Sequence, residues 1–110
     1  MSILLVDDHA VVRQGYASLL RALLPALQVR EAATGEEALL RVQESVPQLV
    51  IMDFGLPGIS GLEAMKILRA DPATAHIPII ALSANAIPRD IEKALEAGFF
   101  NYLTKPIRVN

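Results

Sequence analysis

Two adjacent carboxylates, Asp7 and Asp8, close the apolar run "ILLV", and a third, Asp53, closes the apolar run "LVIM". The chain holds five aspartates, so most of them stand directly behind apolar runs. Like charges side by side repel, and three gathered in one place need a cation to offset them. Magnesium suits such a group, because it takes oxygen ligands in an octahedron and keeps several of its waters. Further along, Ser83 ends the run "IIAL", and Thr104, Lys105 and Pro106 follow "FNYL". A hydroxyl can donate to a phosphoryl oxygen and an ammonium can neutralise one. Taken singly, each residue has a plainer role: Asp8 an N-cap for a helix beginning near His9, Ser83 a turn residue, Lys105 a solvated loop charge. A cap accounts for one acid, however, not for a pair and a third at the end of another strand.

The elements that must carry these residues are legible from hydrophobic pattern. Residues 3–6, 49–52 and 79–82 are continuous apolar runs, as parallel strands covered on both faces require. Residues 28–33 ("QVREAA") and 100–103 ("FNYL") are more polar and belong at sheet edges. Between them, Val12, Tyr16, Leu19, Leu20, Leu23 and Leu24 repeat at helical spacing. Thr34 opens a second helix with Glu37 three residues on, a capping box. Leu62, Met65 and Leu68 share one face of a third helix over Gly61–Ala70. Pro88 suits the first turn of a fourth, with Ile91, Ala94 and Leu95 behind it and Gly98 to close it. The order is β-α-β-α-β-α-β-α-β. Right-handed crossovers and polar second and fifth strands give a five-stranded open parallel sheet, order 2-1-3-4-5, with helices on both faces. Ligands bind such sheets at the carboxyl ends of the strands, near the switch between strands 1 and 3. Those neighbours lie about 4.8 Å apart, and they are the strands that end in Asp7, Asp8 and Asp53.

Composition narrows the classes. At 110 residues the chain is one domain, long enough to bury roughly 65% of its unfolded surface. Its 53% hydrophobic content excludes a disordered chain, and no apolar run is long enough for a membrane span or is arranged as a leader. No cysteine is present, so neither disulfides nor thiolate metal sites exist, and a reducing cytoplasm is the expected compartment. Ten basic against twelve acidic side chains, with no basic block, argue against direct nucleic-acid binding.

Over nearly its whole length the chain resembles the receiver domains of two-component response regulators and hybrid sensor histidine kinases. The pieces that carry the resemblance are "ILLVDD", "VIMDFGLPGISGLE", "IIALSA" and "YLTKPI". It implies a flavodoxin-like fold and a single receiver domain over residues 1–110. It implies that Asp53 is the phosphoacceptor, taking a phosphoryl group from a phosphohistidine of a sensor histidine kinase or histidine phosphotransfer domain. Asp8 and Asp53 would hold Mg²⁺ directly, Asp7 largely through water, and Gly55 through its backbone carbonyl. Lys105, Ser83 and the Ala84 amide would hold the phosphoryl oxygens, with Lys105–Pro106 a cis peptide. Ser83 and Tyr102 would form the switch, Tyr102 turning inward as Ser83 moves; its plainer role is an aromatic packed on an edge strand.

Some features stand apart. "DFG" within "MDFGLPG" matches a protein-kinase magnesium motif, but the other kinase motifs are lacking, as are the glycine fingerprint of dinucleotide folds and a Walker loop. His9 reads as a helix-start residue rather than a ligand, and His76 falls in a loop. "ILLVDDHAVVRQG" resembles receivers joined to helix-turn-helix output domains, while "ALSANAIPRDIEKALEAGFFNYLTKPI" resembles those of hybrid kinases. Relatives continue past Lys-Pro into a fifth helix, whereas this chain stops at Asn110. An exposed apolar face beside helix 1 is therefore expected, open to a second copy as a homodimer or to a segment completing the missing helix. Two other readings are a Mg²⁺-dependent phosphohydrolase with an Asp nucleophile, and a truncated or engineered fragment without signalling activity. A phosphohydrolase would need a substrate cap domain, for which the chain is too short.

Overall fold

In the computed structural model the described residues are 2–53, 56, 58–83, 92, 93, 95, 96 and 98–104, with backbone alone for 83 and 102–104. The elements are β1 (Ser2–Val6), α1 (Ala10–Leu23), β2 (Gln28–Ala32), α2 (Gly35–Glu44), β3 (Leu49–Asp53), α3 (Gly61–Ala70), β4 (Ile79–Ser83) and β5 (Asn101–Thr104). The sheet runs β2-β1-β3-β4-β5 and every pairing is parallel. The polar strands are the edges and the three apolar ones the centre, as their composition predicts. Glu92, Lys93, Leu95 and Glu96 are helical, where the fourth helix is expected, and Gly98 beyond them has a positive φ. Pro88, Ile91 and Ala94 lie outside the described residues.

Pleating explains why the central strands are apolar throughout. Successive side chains point to opposite faces, so a strand covered on both sides needs no polar alternation. Leu4, Val6, Val50, Met52, Ile79 and Ala81 face one layer, where they meet Ala38 and Val42 of α2 and Ala64, Met65 and Leu68 of α3. Ile3, Leu5, Ile51 and Leu82 face the other and meet Ala17 of α1. The apolar stripe expected along α1 is only partly covered. Ala17 is the buried residue of that helix; Tyr16 and Leu20 pack at the margin. Leu23 and Leu24 are half exposed and line, with Pro25, Ala26 and Leu27, an open apolar pocket of about 350 Å³. Among the described residues no helix is long and apolar enough to cross a membrane.

Helix starts follow the side-chain rules closely. Thr34 accepts the Glu37 N–H at 3.0 Å, while the Glu37 carboxylate returns to the N–H of Ala33 at 3.3 Å, one residue ahead of the usual box. The same S-x-x-E spacing recurs at Ser60, which accepts the Glu63 N–H at 3.2 Å and starts α3. That second box is visible in the sequence as soon as it is looked for.

Candidate functional site

Register brings the predicted residues to one edge. Val6 pairs with Met52, so Asp7 and Asp53 emerge level from neighbouring strands. Asp53 pairs with Leu82 and Ser83 with Thr104, which puts the ends of β4 and β5 on the same rim. Donor atoms of Asp7, Asp8, His9 and Asp53 all lie within 4.8 Å of one another. Asp7 is fully buried and Asp53 keeps 8% exposure, whereas Asp8 and His9 are open to solvent. The acceptor expected from sequence is therefore nearly buried, beside the more exposed pair Asp8 and His9. Three carboxylates at that spacing fit the oxygen-rich coordination of Mg²⁺.

Local hydrogen bonds hold the acid pair in place. The Asp7 carboxylate accepts the N–H of His9 at 2.9 Å, and the Asp7 N–H continues the β1–β2 ladder to the Ala32 carbonyl. His9, not Asp8, is the N-cap of α1, and its side chain makes no capping bond. The capping role considered for Asp8 is therefore not the one it fills. The Asp7 carboxylate holds the His9 amide, and the Asp8 carboxylate lies with the cluster. Arg13, one helical turn into α1, donates to the Asp7 carbonyl at 2.8 Å and to Glu31 at 3.0 Å. Sequence reasoning passed over Arg13. Its signal was a cation one turn past His9 and an acid, Glu31, on the strand paired with β1.

The loop after β3 is fastened from the other side. Glu36, in the first turn of α2, accepts the Ile59 N–H at 3.0 Å. Gly58 takes φ 71°, and Gly35 lies so close to the Ile59 carbonyl that an added Cβ would stand 2.6 Å from its oxygen. Both glycines let α2 approach the loop that links Asp53 to α3. The Ile59 amide first, then the backbone amide of Glu36 itself, hold the Glu36 carboxyl below its ordinary value of 4.5; desolvation opposes them, and the Thr34 hydroxyl adds the smallest contribution. A lowered pKa stabilises the fold above the unfolded value and loses that stabilisation as pH falls through the folded one. Glu36→Gln keeps an acceptor oxygen but does not titrate. Melting temperatures of wild type and Glu36→Gln should therefore converge as the pH is taken from neutral to below the ordinary value of 4.5. A gap that stays constant over that range would exclude the Ile59 contact as its source.

Of the other expected site residues, Gly55, Ala84, Lys105 and Pro106 lie outside the described residues. Ser83 and Tyr102 are placed by backbone alone, at the end of β4 and within β5.

An open parallel sheet in the order 2-1-3-4-5, with paired acids behind one central strand and a third behind its neighbour, places this chain among flavodoxin-like α/β proteins, whose ligands bind at the switch point where these acids stand. The chain belongs to the response regulator receiver domain family, whose pattern it matches over residues 3–110. It is 48% identical over 105 residues to the transcriptional activator protein ExaE of Pseudomonas putida, covering 96% of this chain and 48% of that protein. It thus spans about half the length of that relative. Among solved structures it is similar to the receiver domain of the sensor histidine kinase PA1611 from Pseudomonas aeruginosa, which holds a magnesium ion coordinated in its active-site cleft. The TM-score is 0.86 at 36% identity, covering 97% of this chain and 86% of that one. It is also similar to the receiver domain of Ssk1 from Saccharomyces cerevisiae, crystallised with the histidine phosphotransfer protein Ypd1, with TM-score 0.85, 31% identity and coverage of 98% and 80%.

Proposed function

We propose that this domain accepts a phosphoryl group on Asp53 from a phosphohistidine, in a Mg²⁺-dependent step, and so relays a two-component signal. The observation that carries the reading is the convergence of Asp7, Asp8 and Asp53 within 4.8 Å at the switch between β1 and β3. Asp8 and Asp53 would hold the ion, joined by the Gly55 carbonyl, with Asp7 acting through water. When bound, the ion offsets negative charge on the phosphoryl oxygens. An Asp53 carboxylate oxygen forms a bond to phosphorus as the phosphorus–nitrogen bond to the donor imidazole breaks; the ring nitrogen keeps that electron pair, and the imidazole leaves neutral with the proton already on its other nitrogen. Lys105, the Ser83 hydroxyl and the Ala84 amide hold the phosphoryl oxygens. The added charge and acceptor atoms then draw Ser83 inward and bias Tyr102, so that the face around β5 reports the state.

The partner is a histidine kinase or histidine phosphotransfer domain, in keeping with the Ssk1–Ypd1 pairing. No small-molecule turnover is needed, and the domain acts as a signalling module in the cytoplasm. Incubation with a small phosphodonor and Mg²⁺ should add one phosphoryl mass to the intact protein, and chelation should stop the addition. Uptake that proceeds equally well in excess chelator would overturn the Mg²⁺ dependence. Catalytic hydrolysis of a phosphoester, with no labelled protein at any time, would favour a phosphohydrolase.

A further inference from the structure

The acid cluster contains one residue that phosphoryl acceptance does not require. The Nδ1 atom of His9 lies 3.2 Å from Asp8 Oδ1 and 3.4 Å from Asp7 Oδ1. We propose that His9 is a protein ligand of the divalent ion here, and that it shifts the site's preference from Mg²⁺ toward nitrogen-seeking first-row ions such as Ni²⁺ and Co²⁺. The proposal rests on the reading of the acid cluster as a cation site and adds to it a fourth donor of a different kind.

Spacing is the first support. Two ligands on neighbouring corners of an octahedron, with bonds of about 2.1 to 2.2 Å, stand about 3.0 to 3.1 Å apart. On a tetrahedral ion with similar bonds the edge is about 3.4 to 3.6 Å. The 3.2 Å separation from Asp8, the carboxylate that holds the ion directly, falls between these values, so the imidazole reaches ligand spacing beside Asp8 without moving the backbone. Anchorage is the second support. The His9 amide is held by Asp7, while its ring makes no capping bond and is 67% exposed. The backbone is thus held while the ring, with Nδ1 turned to the acids, is free of any capping bond.

Donor chemistry then sets the direction of the effect. Mg²⁺ gains little from imidazole, whereas affinity for imidazole sites climbs through Mn²⁺, Co²⁺ and Ni²⁺. The same distances would arise if the ring only donated a hydrogen bond to the acids. Replacing the ring while leaving the carboxylates in place separates the two.

Calorimetric titrations with MgCl₂, MnCl₂ and NiCl₂ would compare wild type, His9→Asn and Asp8→Ala. Asn retains a good N-cap residue at that position. His9→Asn should weaken Ni²⁺ by about tenfold or more and Mg²⁺ by less than about threefold. A second readout needs no variant. Co²⁺-loaded wild type should show a strongly shifted imidazole N–H proton signal, as a ring bound directly to the ion would. Equal losses for Ni²⁺ and Mg²⁺ in His9→Asn, no loss for either, or an unshifted imidazole would overturn the role of His9. The cation site itself would still stand if wild type binds Mg²⁺ and Asp8→Ala does not. A wild-type protein that binds none of the three ions would overturn both.

Discussion

Asp53→Asn is expected to abolish phosphoryl uptake from a small phosphodonor, by on the order of 10³-fold or more, in intact-mass measurements that label wild type. The substitution keeps the shape of the side chain but removes the anionic oxygen that, in the proposed function, attacks phosphorus. It also takes one charge from a group whose donor atoms lie within 4.8 Å of one another, so metal affinity should fall with it. The strand itself should be unaffected. Asp53 is the last residue of β3, and its pairing with Leu82 uses backbone groups that the amide side chain leaves in place. Circular dichroism and melting then show that a silent variant is folded. Labelling of equal extent in the two proteins would remove Asp53 as the acceptor, whatever the fate of the other acids.

The largest effect on stability is expected at Leu4. Its side chain is fully buried in central strand β1, beneath the layer formed by α2 and α3. Leu4→Ala deletes buried methyl groups and leaves a cavity that neighbouring backbone cannot fill, at a cost of about 2 to 5 kcal/mol. Against a total of about 5 to 15 kcal/mol for a domain of this kind, that is a large fraction. Val11→Ala provides the contrast: Val11 is 85% exposed, and its truncation should stay within about 0.5 kcal/mol. Urea denaturation reads both. A Leu4→Ala loss below about 1 kcal/mol would mean that the two-layer packing around β1 is not as described. Because β1 delivers Asp7 and Asp8, the same variant should lose metal binding only in step with its unfolded fraction. Loss of binding in fully folded Leu4→Ala would instead point to a displaced strand end.

The central and edge strands could be told apart before any coordinates, because burial on both faces leaves a continuous apolar run and burial at an edge does not. "ILLV" against "QVREA" is enough to order β1 inside β2. The Thr34–Glu37 box and the α3 stripe of Met65 and Leu68 were equally legible, since each depends on spacing within a few residues. Placement of the acids behind strands 1 and 3 followed from topology alone. What pattern could not supply was the use made of side chains near those acids. His9 looked like a helix start, and it is one, yet the turn held by Asp7 also swings its ring into the cluster. Arg13 and Glu31 are eighteen positions apart, and only the β1–β2 pairing beside α1 makes them partners.

Sequence by itself determined which segments become strands and helices, which strands lie inside, and that three aspartates share one end of the sheet. Those outcomes rest on hydrophobic periodicity and right-handed crossover, both written along the chain. Tertiary structure alone decided that an imidazole joins the carboxylates, that Arg13 braces the Asp7 carbonyl, and that Glu36 fastens the loop beyond Asp53. Such contacts join residues from different elements. They depend on where each crossover sets a helix down and which way a side chain turns, and a one-dimensional pattern of burial carries neither.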